Sequence, residues 1–264
     1  MASGAGDPLN KEHRLYPLRG GGRRLEVTTM SPRMPKESIA SLQNRIIACH
    51  LCPRLVDWRE RIAQEKVRRF ADQDYWGKPV PSFGDPRARL LVLGLAPAAH
   101  GGNRTGRIFT GDRSGDWLFR ALNKAGFANQ PASVHRNDGL CLQDCYVTAA
   151  VRCAPPQNKP TPEENANCRP YLLRELDLLD RIRVIVALGR FAFDAAIASV
   201  GLEAPASRRP EFKHGGEIRL IGGVTLIASF HPSQQNTFTG KLTEPMFDRI
   251  FTRARKIIEK KPQT

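Results

Sequence analysis

The hydrophobic residues of this chain gather into four short and nearly unbroken apolar runs. Such runs are typical of strands that are buried on both faces of a parallel sheet. The predicted strands cover residues 89–93, 146–151, 184–188 and 224–230. Between them, apolar residues recur at helical spacing. This alternation predicts an α/β fold in which three layers, α/β/α, are built on a central, mainly parallel four-stranded sheet.

The predicted helices begin at residues that cap helices well. An arginine- and glutamate-rich helix is predicted over residues 54–70, and the first helix precedes Cys49. The predicted helix starts lie near Lys36, at Ser114, at Thr161-Pro162, after Gly189 and after Thr243-Glu244-Pro245.

The N-terminal segment differs in character from the rest of the chain. Residues 1–35 contain many glycines, prolines and scattered arginines, with little periodic apolar character. A segment of this composition cannot bury enough apolar surface to fold. We therefore predict a disordered basic tail over 1–35 and one folded domain over 36–264.

The charge balance favours a nucleic-acid partner. The chain has 41 Lys and Arg against 26 Asp and Glu, which gives a net charge of +15. A basic surface of this kind neutralises phosphates, although charge alone also fits a solubility surface or a ribosome-associated protein. No run approaches the ~20 apolar residues of a membrane span, and no secretory signal is evident. We expect a cytoplasmic protein without membrane contacts.

A long glycine-rich loop follows the first predicted strand. It spans residues 94–112, and its glycines let the backbone approach a ligand closely. Open α/β sheets bind ligands beyond the carboxyl ends of their strands. The loop is therefore predicted to hold an active site, which His231, directly after the last strand, would share.

Six cysteines are too few for a disulfide scaffold in a chain of this length. Cys49 and Cys52 form a C-x2-C pair, and Cys153 and Cys168 stand fifteen residues apart. Four thiolates suit either zinc or an iron–sulfur cluster, and the spacing alone leaves both open. Cys141 and Cys145 are expected to be ordinary free cysteines, the alternative being that they replace Cys153 and Cys168 as ligands.

Four motifs carry a family resemblance. They read GLAPAAH at 94–100, NRTGR at 103–107, FTGD at 109–112 and HPSQQN at 231–236. In this order they resemble the type 5 uracil-DNA glycosylases (UDGb), and with the cysteines the resemblance covers about residues 40–255. It implies a uracil-DNA glycosylase fold for the folded domain. It also implies a structural [4Fe-4S] cluster on Cys49, Cys52, Cys153 and Cys168.

Removal of a base from DNA requires particular groups, and three residues are candidates to supply them. His231 can donate a hydrogen bond to a uracil carbonyl oxygen as the leaving base gains negative charge. Asp112 can position or deprotonate the attacking water, with Asp116, one helical turn further on, as the alternative acid. Asn158 can read the edge of the base with one donor and one acceptor.

Four further positions are predicted to contact the base. Phe109 offers an aromatic face for stacking, and its setting matches the stacking position of the family. Ala96 and Ala98 stand in the motif where the familiar uracil-DNA glycosylases carry a water-activating acid. Ala149 stands where other glycosylases carry an in-strand asparagine. Its small side chain predicts a wide pocket that accepts deaminated purines as well as uracil.

Basic and polar residues near the two loops are the predicted contacts to the rest of the DNA. Arg104 and Arg107 are expected to bind phosphates. The loop after His231 is expected to enter the duplex where the base has left. Its predicted DNA-binding residues are Gln234, Gln235, Asn236 and Lys241.

Together these features predict a monomeric, monofunctional DNA glycosylase that excises uracil, and other deaminated bases such as hypoxanthine, in base excision repair. No lysine in the motifs is placed as a Schiff-base nucleophile, so the expected product is an abasic site in an intact strand. The alternative is a noncatalytic damaged-DNA-binding module stapled by a zinc or iron–sulfur site.

Overall fold

We describe the protein from a computed structural model, in which residues 37–204 and 210–260 are described. The prediction of a disordered tail over residues 1–35 falls outside these residues. Within them, no helix is both long and apolar enough to cross a membrane.

One sheet runs through the described part of the chain. Its strands are β1 Phe83–Gly84, β2 Leu90–Gly94, β3 Cys145–Ala149, β4 Val184–Leu188, β5 Glu217–Leu220 and β6 Val224–Ser229. Their spatial order is β1-β3-β2-β4-β6-β5. The neighbours β3, β2, β4 and β6 are all parallel, which confirms the predicted four-stranded core. The short antiparallel strands β1 and β5 at the two edges were not predicted.

Helices cover both faces of this sheet. They are α1 Ile39–Ile47, α2 Pro53–Glu65, α3 Gly102–Thr105, α4 Arg113–Lys124, α5 Pro162–Leu178, α6 Arg190–Val200, α7 Gln234–Phe238 and α8 Glu244–Glu259. The stretch predicted as one helix over 54–70 is instead α2 followed by a single 3₁₀ turn, Arg68–Phe70.

The alternating side chains of β2 show how the layers form. Leu90 and Val92 belong to the apolar core that includes residues of α4 and α8. Leu91 and Leu93 belong to the core on the opposite face, with residues of α5 and α6. Because successive strand side chains point to opposite faces, a continuous apolar run fills two cores at once. The three-layer α/β/α architecture is confirmed.

Helix caps fix the loops that carry function. Asp112, two residues before Ser114, caps α4, and its side chain accepts a hydrogen bond from the Gly115 amide. Thr161 caps α5 in a reciprocal capping box with Glu164, as its sequence predicts.

The loop between β3 and α5 is fastened to α2. The Arg54 guanidinium binds both carboxylate oxygens of Glu164 at 2.7 Å and also donates to the Lys159 carbonyl oxygen. This brace holds the turn that carries Asn158 beside the carboxyl edge of the sheet.

A buried ion pair also links the segment after β3 to α5. Arg152, just after β3, pairs with Glu175 of α5, and both side chains are almost fully buried. Thr148 of β3 donates to the same carboxylate at 2.7 Å. Such pairs are costly to break, because one charge would remain buried alone.

Candidate active site

A cleft of about 570 Å³ opens at the carboxyl ends of the parallel strands. It lies between the loop after β2, the turn after β3 and the loop after β6. Its lining residues are Leu95, Ala96, Ala98, Phe109, Asp112, Arg113, Ser114, Asn158, His231, Ser233, Gln234 and Gln235. The structure therefore brings together the three predicted catalytic residues, which are far apart in the sequence.

Asp112 both caps α4 and lines the cleft. Its Oδ1 accepts the Gly115 amide at 3.0 Å. A Cβ on Gly101 would collide with its Oδ2, so glycine is needed for this close approach. Burial raises the pKa of the Asp112 carboxyl, and hydrogen bonds from the Gly115 and Ser114 amides act against this rise. The alternative acid, Asp116, is exposed and does not line the cleft.

His231 and Phe109 form the two rings of the cleft. Their centroids are 6.0 Å apart, with 33° between the ring planes. Phe109 packs against β2, where a Cβ on Gly94 would lie only 2.7 Å from its Cζ. Burial lowers the pKa of the His231 imidazole to about 4, so the ring is neutral at physiological pH. A neutral imidazole N–H suits a hydrogen bond to a carbonyl oxygen that gains charge.

The lowered pKa of His231 predicts an acid-sensitive stability. Between its ordinary value of 6.5 and about 4, the unfolded chain binds a proton at this histidine that the folded chain does not bind. The free energy of unfolding should therefore fall as the pH is lowered through this window, by about 3 kcal/mol from this residue. Urea unfolding of the wild type and of His231→Asn at pH 7 and pH 4.5 measures the difference. An equal loss of stability in both proteins would contradict the assignment.

Asn158 and two alanines complete the predicted pocket. Asn158 is exposed, has a positive φ of 56° and ends a 3₁₀ turn at the rim of the cleft. Ala96 and Ala98, after β2, also line the cleft. Their small side chains leave the centre of the cleft open.

Ala149 is not among the residues that line the cleft, and its role in base binding stays a prediction. It is fully buried in the core that also contains Val147 and Cys145. The alternation of β3 directs residues 145, 147 and 149 into this core, to which Phe109 of the long loop also belongs. The width of the cleft therefore comes from residues other than Ala149.

Arg104 is also not available to a phosphate. It is 7% exposed, and its guanidinium donates to the His100 and Gly111 carbonyl oxygens and to Gln73 Oε1 at 2.6–2.8 Å. It therefore fastens the loop that carries the motifs. The predicted phosphate contact is wrong, because a net positive charge does not tell which arginines are buried.

Arg107 fastens the far side of the same loop. It is 4% exposed, and it binds Asp138 Oδ2 and Ser133 Oγ at 2.7 Å and 2.6 Å. Burial favours a higher pKa for the Asp138 carboxyl, but the hydrogen bond from Arg107, with backbone amides, holds that pKa at about 2. The predicted phosphate contact of Arg107 is wrong for the same reason.

The loop after His231 keeps several groups exposed. Gln234 and Gln235 begin α7, line the cleft and are exposed. Lys241 is exposed, and its ammonium lies 4.9 Å from the centroid of the Phe230 ring. The DNA contacts predicted for these three residues stay predictions, and their exposure is compatible with them.

Asn236 has an internal role that the sequence did not indicate. Its Nδ2 donates to the His231 carbonyl oxygen at 2.9 Å, and its own amide donates to Ser233 Oγ at 3.4 Å. This side-chain nitrogen therefore holds the backbone of His231. A contact between Asn236 and DNA stays a prediction.

An exposed cation and an exposed aromatic ring flank the cleft. Phe238 is 68% exposed, and the Arg113 guanidinium lies 4.4 Å from its ring centroid. Arg113 itself is exposed and lines the cleft. Both side chains are accessible at the cleft, whereas those of Arg104 and Arg107 are buried. Leu95, Ser114 and Ser233 also line the cleft and were missed, because small polar and apolar loop residues have no distinctive sequence signal.

The four predicted ligand cysteines meet on one side of the domain. Cys49, Cys52, Cys153 and Cys168 all line a small cavity between α2, α5 and the segment after β3. Burial raises the pKa of Cys153 to about 12 and that of Cys168 to about 11. Among the described residues, no three His, Cys, Asp or Glu side chains are arranged to hold a metal ion.

The alternative ligand set is contradicted. Cys141 is exposed, whereas Cys145 is fully buried at the start of β3 in a different core. Neither lines the cavity of the other four cysteines.

Comparisons with known proteins are decisive for the family. The sequence profile described as "Uracil DNA glycosylase superfamily" matches residues 81–255. The chain belongs to this superfamily. It is 55% identical over 221 residues, 83% of this chain and 82% of the relative, to the type-5 uracil-DNA glycosylase of Mycobacterium tuberculosis. It is 51% identical to that of Thermus thermophilus over 80% of this chain and 94% of the relative. The type-4 uracil-DNA glycosylase of Archaeoglobus fulgidus is 34% identical over 58% of this chain and 70% of the relative.

Membership of the uracil-DNA glycosylase superfamily confirms the resemblance and the fold that the motifs imply. The matched range contains every residue of the cleft and two of the four clustered cysteines. Cys49 and Cys52 lie before the matched range, just ahead of α2.

Proposed function

We propose that this protein is a monofunctional uracil-DNA glycosylase that leaves an abasic site in base excision repair. The observation that carries the proposal is the cleft itself. Phe109 can stack on a flipped base, while His231 and Asp112 line the same space from different loops. Superfamily membership and the named type-5 relatives support the same activity.

The reaction follows from these positions. The bond between C1′ and the base nitrogen breaks, and its electron pair leaves with the base, while the sugar becomes cationic. His231, neutral and partly enclosed, donates a hydrogen bond to the carbonyl oxygen that gains negative charge. Asp112 stabilises the cationic sugar and orients the water whose oxygen forms the new bond to C1′. One proton of that water passes to Asp112 or to solvent, the other stays on the new C1′ hydroxyl, and the base anion takes up a proton from solvent.

The product distinguishes this activity from its alternatives. Uracil-containing duplex should give strand breaks only after hot alkali, because no amine nucleophile acts in the proposed mechanism. Breaks without alkali would indicate a lyase. Retention of damaged DNA without any product would instead support the noncatalytic binding module.

The cleft also supports a broad substrate range. Its volume of about 570 Å³ and its alanine-lined centre leave space for a purine as well as uracil. Stacking on Phe109 uses the face of a ring, which every base has. We therefore extend the proposal to hypoxanthine.

Wild-type enzyme should release hypoxanthine from duplex DNA, since both bases offer a carbonyl oxygen to His231. Ala98→Leu, which fills the cleft, should lower the hypoxanthine rate more than the uracil rate, by roughly tenfold or more on the scale of pocket-size discrimination. Single-turnover rates on matched oligonucleotides measure both. An enzyme that is active on uracil but releases no hypoxanthine would contradict the broad range.

The buried alanine of β3 calls for a different expectation. Ala149→Asn would place an amide in a closed core, where an unpaired polar group costs about 1–3 kcal/mol. It should lower stability and leave the ratio of uracil to hypoxanthine release unchanged.

We further propose that the four clustered cysteines hold a structural [4Fe-4S] cluster, as the family resemblance implies. Hydrogen-bonding groups lie beside these thiols, as is usual around ligands of a metal or cluster. Arg59 Nη1 donates to Cys153 Sγ at 3.0 Å, and Asn167 Nδ2 lies 3.6 Å from Cys52 Sγ. The hydroxyl of Tyr171 bonds Cys49, and the amide of Arg152 bonds Cys168.

The buried Arg59 supports an anionic occupant. Its side chain is 1% exposed. Among the described residues, its one ion-pair partner is the half-exposed Glu60 at 3.4 Å, and its Nε has no hydrogen-bond partner. A buried cation needs a counter-charge. Thiolates that ligate a cluster would supply it, and the cluster would link α2 to α5 and the segment after β3.

Protein purified without oxygen should contain about four irons per chain. Cys168→Ser should lose iron and lower the yield of folded protein, because the ligand is deep in the fold. Cys141→Ser, which changes an exposed cysteine away from the cavity, is the matched control and should keep the iron. One zinc and no iron in the wild type would contradict the cluster.

A further inference from the structure

The position of His231 depends on its backbone. In the described part of the chain, nothing hydrogen-bonds to its ring, and burial alone accounts for its lowered pKa. The residues that fix the backbone on either side of it therefore decide where its N–H points.

A segment before β5 holds the end of β6. The Gly215 amide donates to the Ala228 carbonyl oxygen at 2.8 Å, and the Ala228 amide donates to Gly216 at 2.9 Å. The Phe230 amide, two residues further along and just beyond the end of β6, donates instead to His214 Nδ1 at 3.1 Å. The backbone just before His231 is thus held by a histidine side chain.

The His214 ring is fixed in one tautomer and one orientation. It stacks on the Phe230 ring, with centroids 5.1 Å apart and 27° between the planes. Its other nitrogen bonds the backbone of Met246, in the first turn of α8. Because Nδ1 accepts the Phe230 amide, the proton of the neutral ring is on Nε2.

We propose that His214 is a positioning residue for His231. It acts through its hydrogen bond with the Phe230 amide. It works with Asn236, which holds the His231 carbonyl oxygen from the other side at 2.9 Å. The first bond holds the peptide unit between Ser229 and Phe230, one residue before His231, and the second holds the carbonyl group of His231 itself. Together they aim its ring into the cleft. This inference rests on the proposed glycosylase function, in which His231 donates to the leaving base.

Two variants separate the hydrogen bond from the packing. His214→Phe keeps an aromatic ring for stacking but offers no acceptor, whereas His214→Asn places an amide oxygen near the position of Nδ1. We expect His214→Phe to lower the single-turnover rate of uracil release by roughly tenfold to 10²-fold, because misplacement of a catalytic group by about 1 Å has effects of this size. The Kd for uracil-containing DNA should stay within about twofold, since His214 does not line the cleft. His214→Asn should recover most of the rate.

Each outcome bears on a distinct statement. A wild-type rate in His214→Phe, an equal loss in both variants, or a change in Kd alone would overturn the positioning role. Absence of uracil release by the wild type would instead refute the proposed function.

Amide hydrogen exchange tests the bond in the wild type even where a variant fails to fold. Acid should protonate His214 and remove the protection of the Phe230 amide, while the Ala228 amide, bonded to a carbonyl, keeps its protection. The other charged or titratable groups near this site are Arg249 and Arg253 of α8, Lys241 beside Phe230, and His231. Loss of protection at both amides together, or at neither, would overturn the inference.

Discussion

Asp112→Asn is expected to lower the single-turnover rate of uracil release by roughly 10²-fold or more, with DNA affinity largely kept. The asparagine oxygen can still accept the Gly115 amide, so the cap of α4 remains while the charge beside the cationic sugar is lost. Asp112→Ala removes both, and it should cost a further ~1 kcal/mol of stability from the lost cap.

Asp116→Ala is the matched control for this test. Asp116 lies one turn further along α4, is exposed and does not line the cleft. The Asp116→Ala variant should release uracil at the wild-type rate. Normal turnover by Asp112→Asn, together with a loss in Asp116→Ala, would reverse the assignment of the acid.

Arg107→Ala should destabilise the protein by about 3–5 kcal/mol, because it leaves the carboxylate of Asp138 buried without its partner. Both side chains of the pair are less than a tenth exposed. Urea unfolding measures the loss. The folded fraction should bind DNA with an unchanged salt dependence, since Arg107 does not reach the surface.

Arg113→Ala is the opposite case, since its guanidinium is exposed at the cleft beside Phe238. Stability should change by at most ~0.5 kcal/mol, whereas the slope of log K against log salt should fall by about one. If Arg107→Ala changed the slope and Arg113→Ala did not, the phosphate contacts would lie where the sequence first indicated.

The parallel core was predictable because β2, β3, β4 and β6 are each buried on both faces and read as unbroken apolar runs. The edge strands were not. β1 has only two residues, and β5 alternates exposed and covered positions, with Glu217 and Arg219 exposed. Their pairing depends on neighbouring strands, which local sequence does not encode.

In the site, too, some residues could be predicted from the sequence and others could not. His231 and Asp112 were predictable because each stands directly beside a regular element, at the edge where parallel strands end. The burial of Arg104 and Arg107 was not, because their partners, such as Gln73 and Asp138, lie about thirty residues away in the chain. His214 was missed because a lone histidine before an edge strand has no motif.

Free uracil is the product that tests the proposed function most directly. Wild-type protein incubated with uracil-containing duplex DNA should release free uracil, detected by mass spectrometry, in an amount equal to the alkali-labile sites. His231→Ala should release it roughly 10²-fold more slowly, because the hydrogen bond to the leaving base is lost. Wild-type protein that binds this DNA and releases no uracil would contradict the proposed activity.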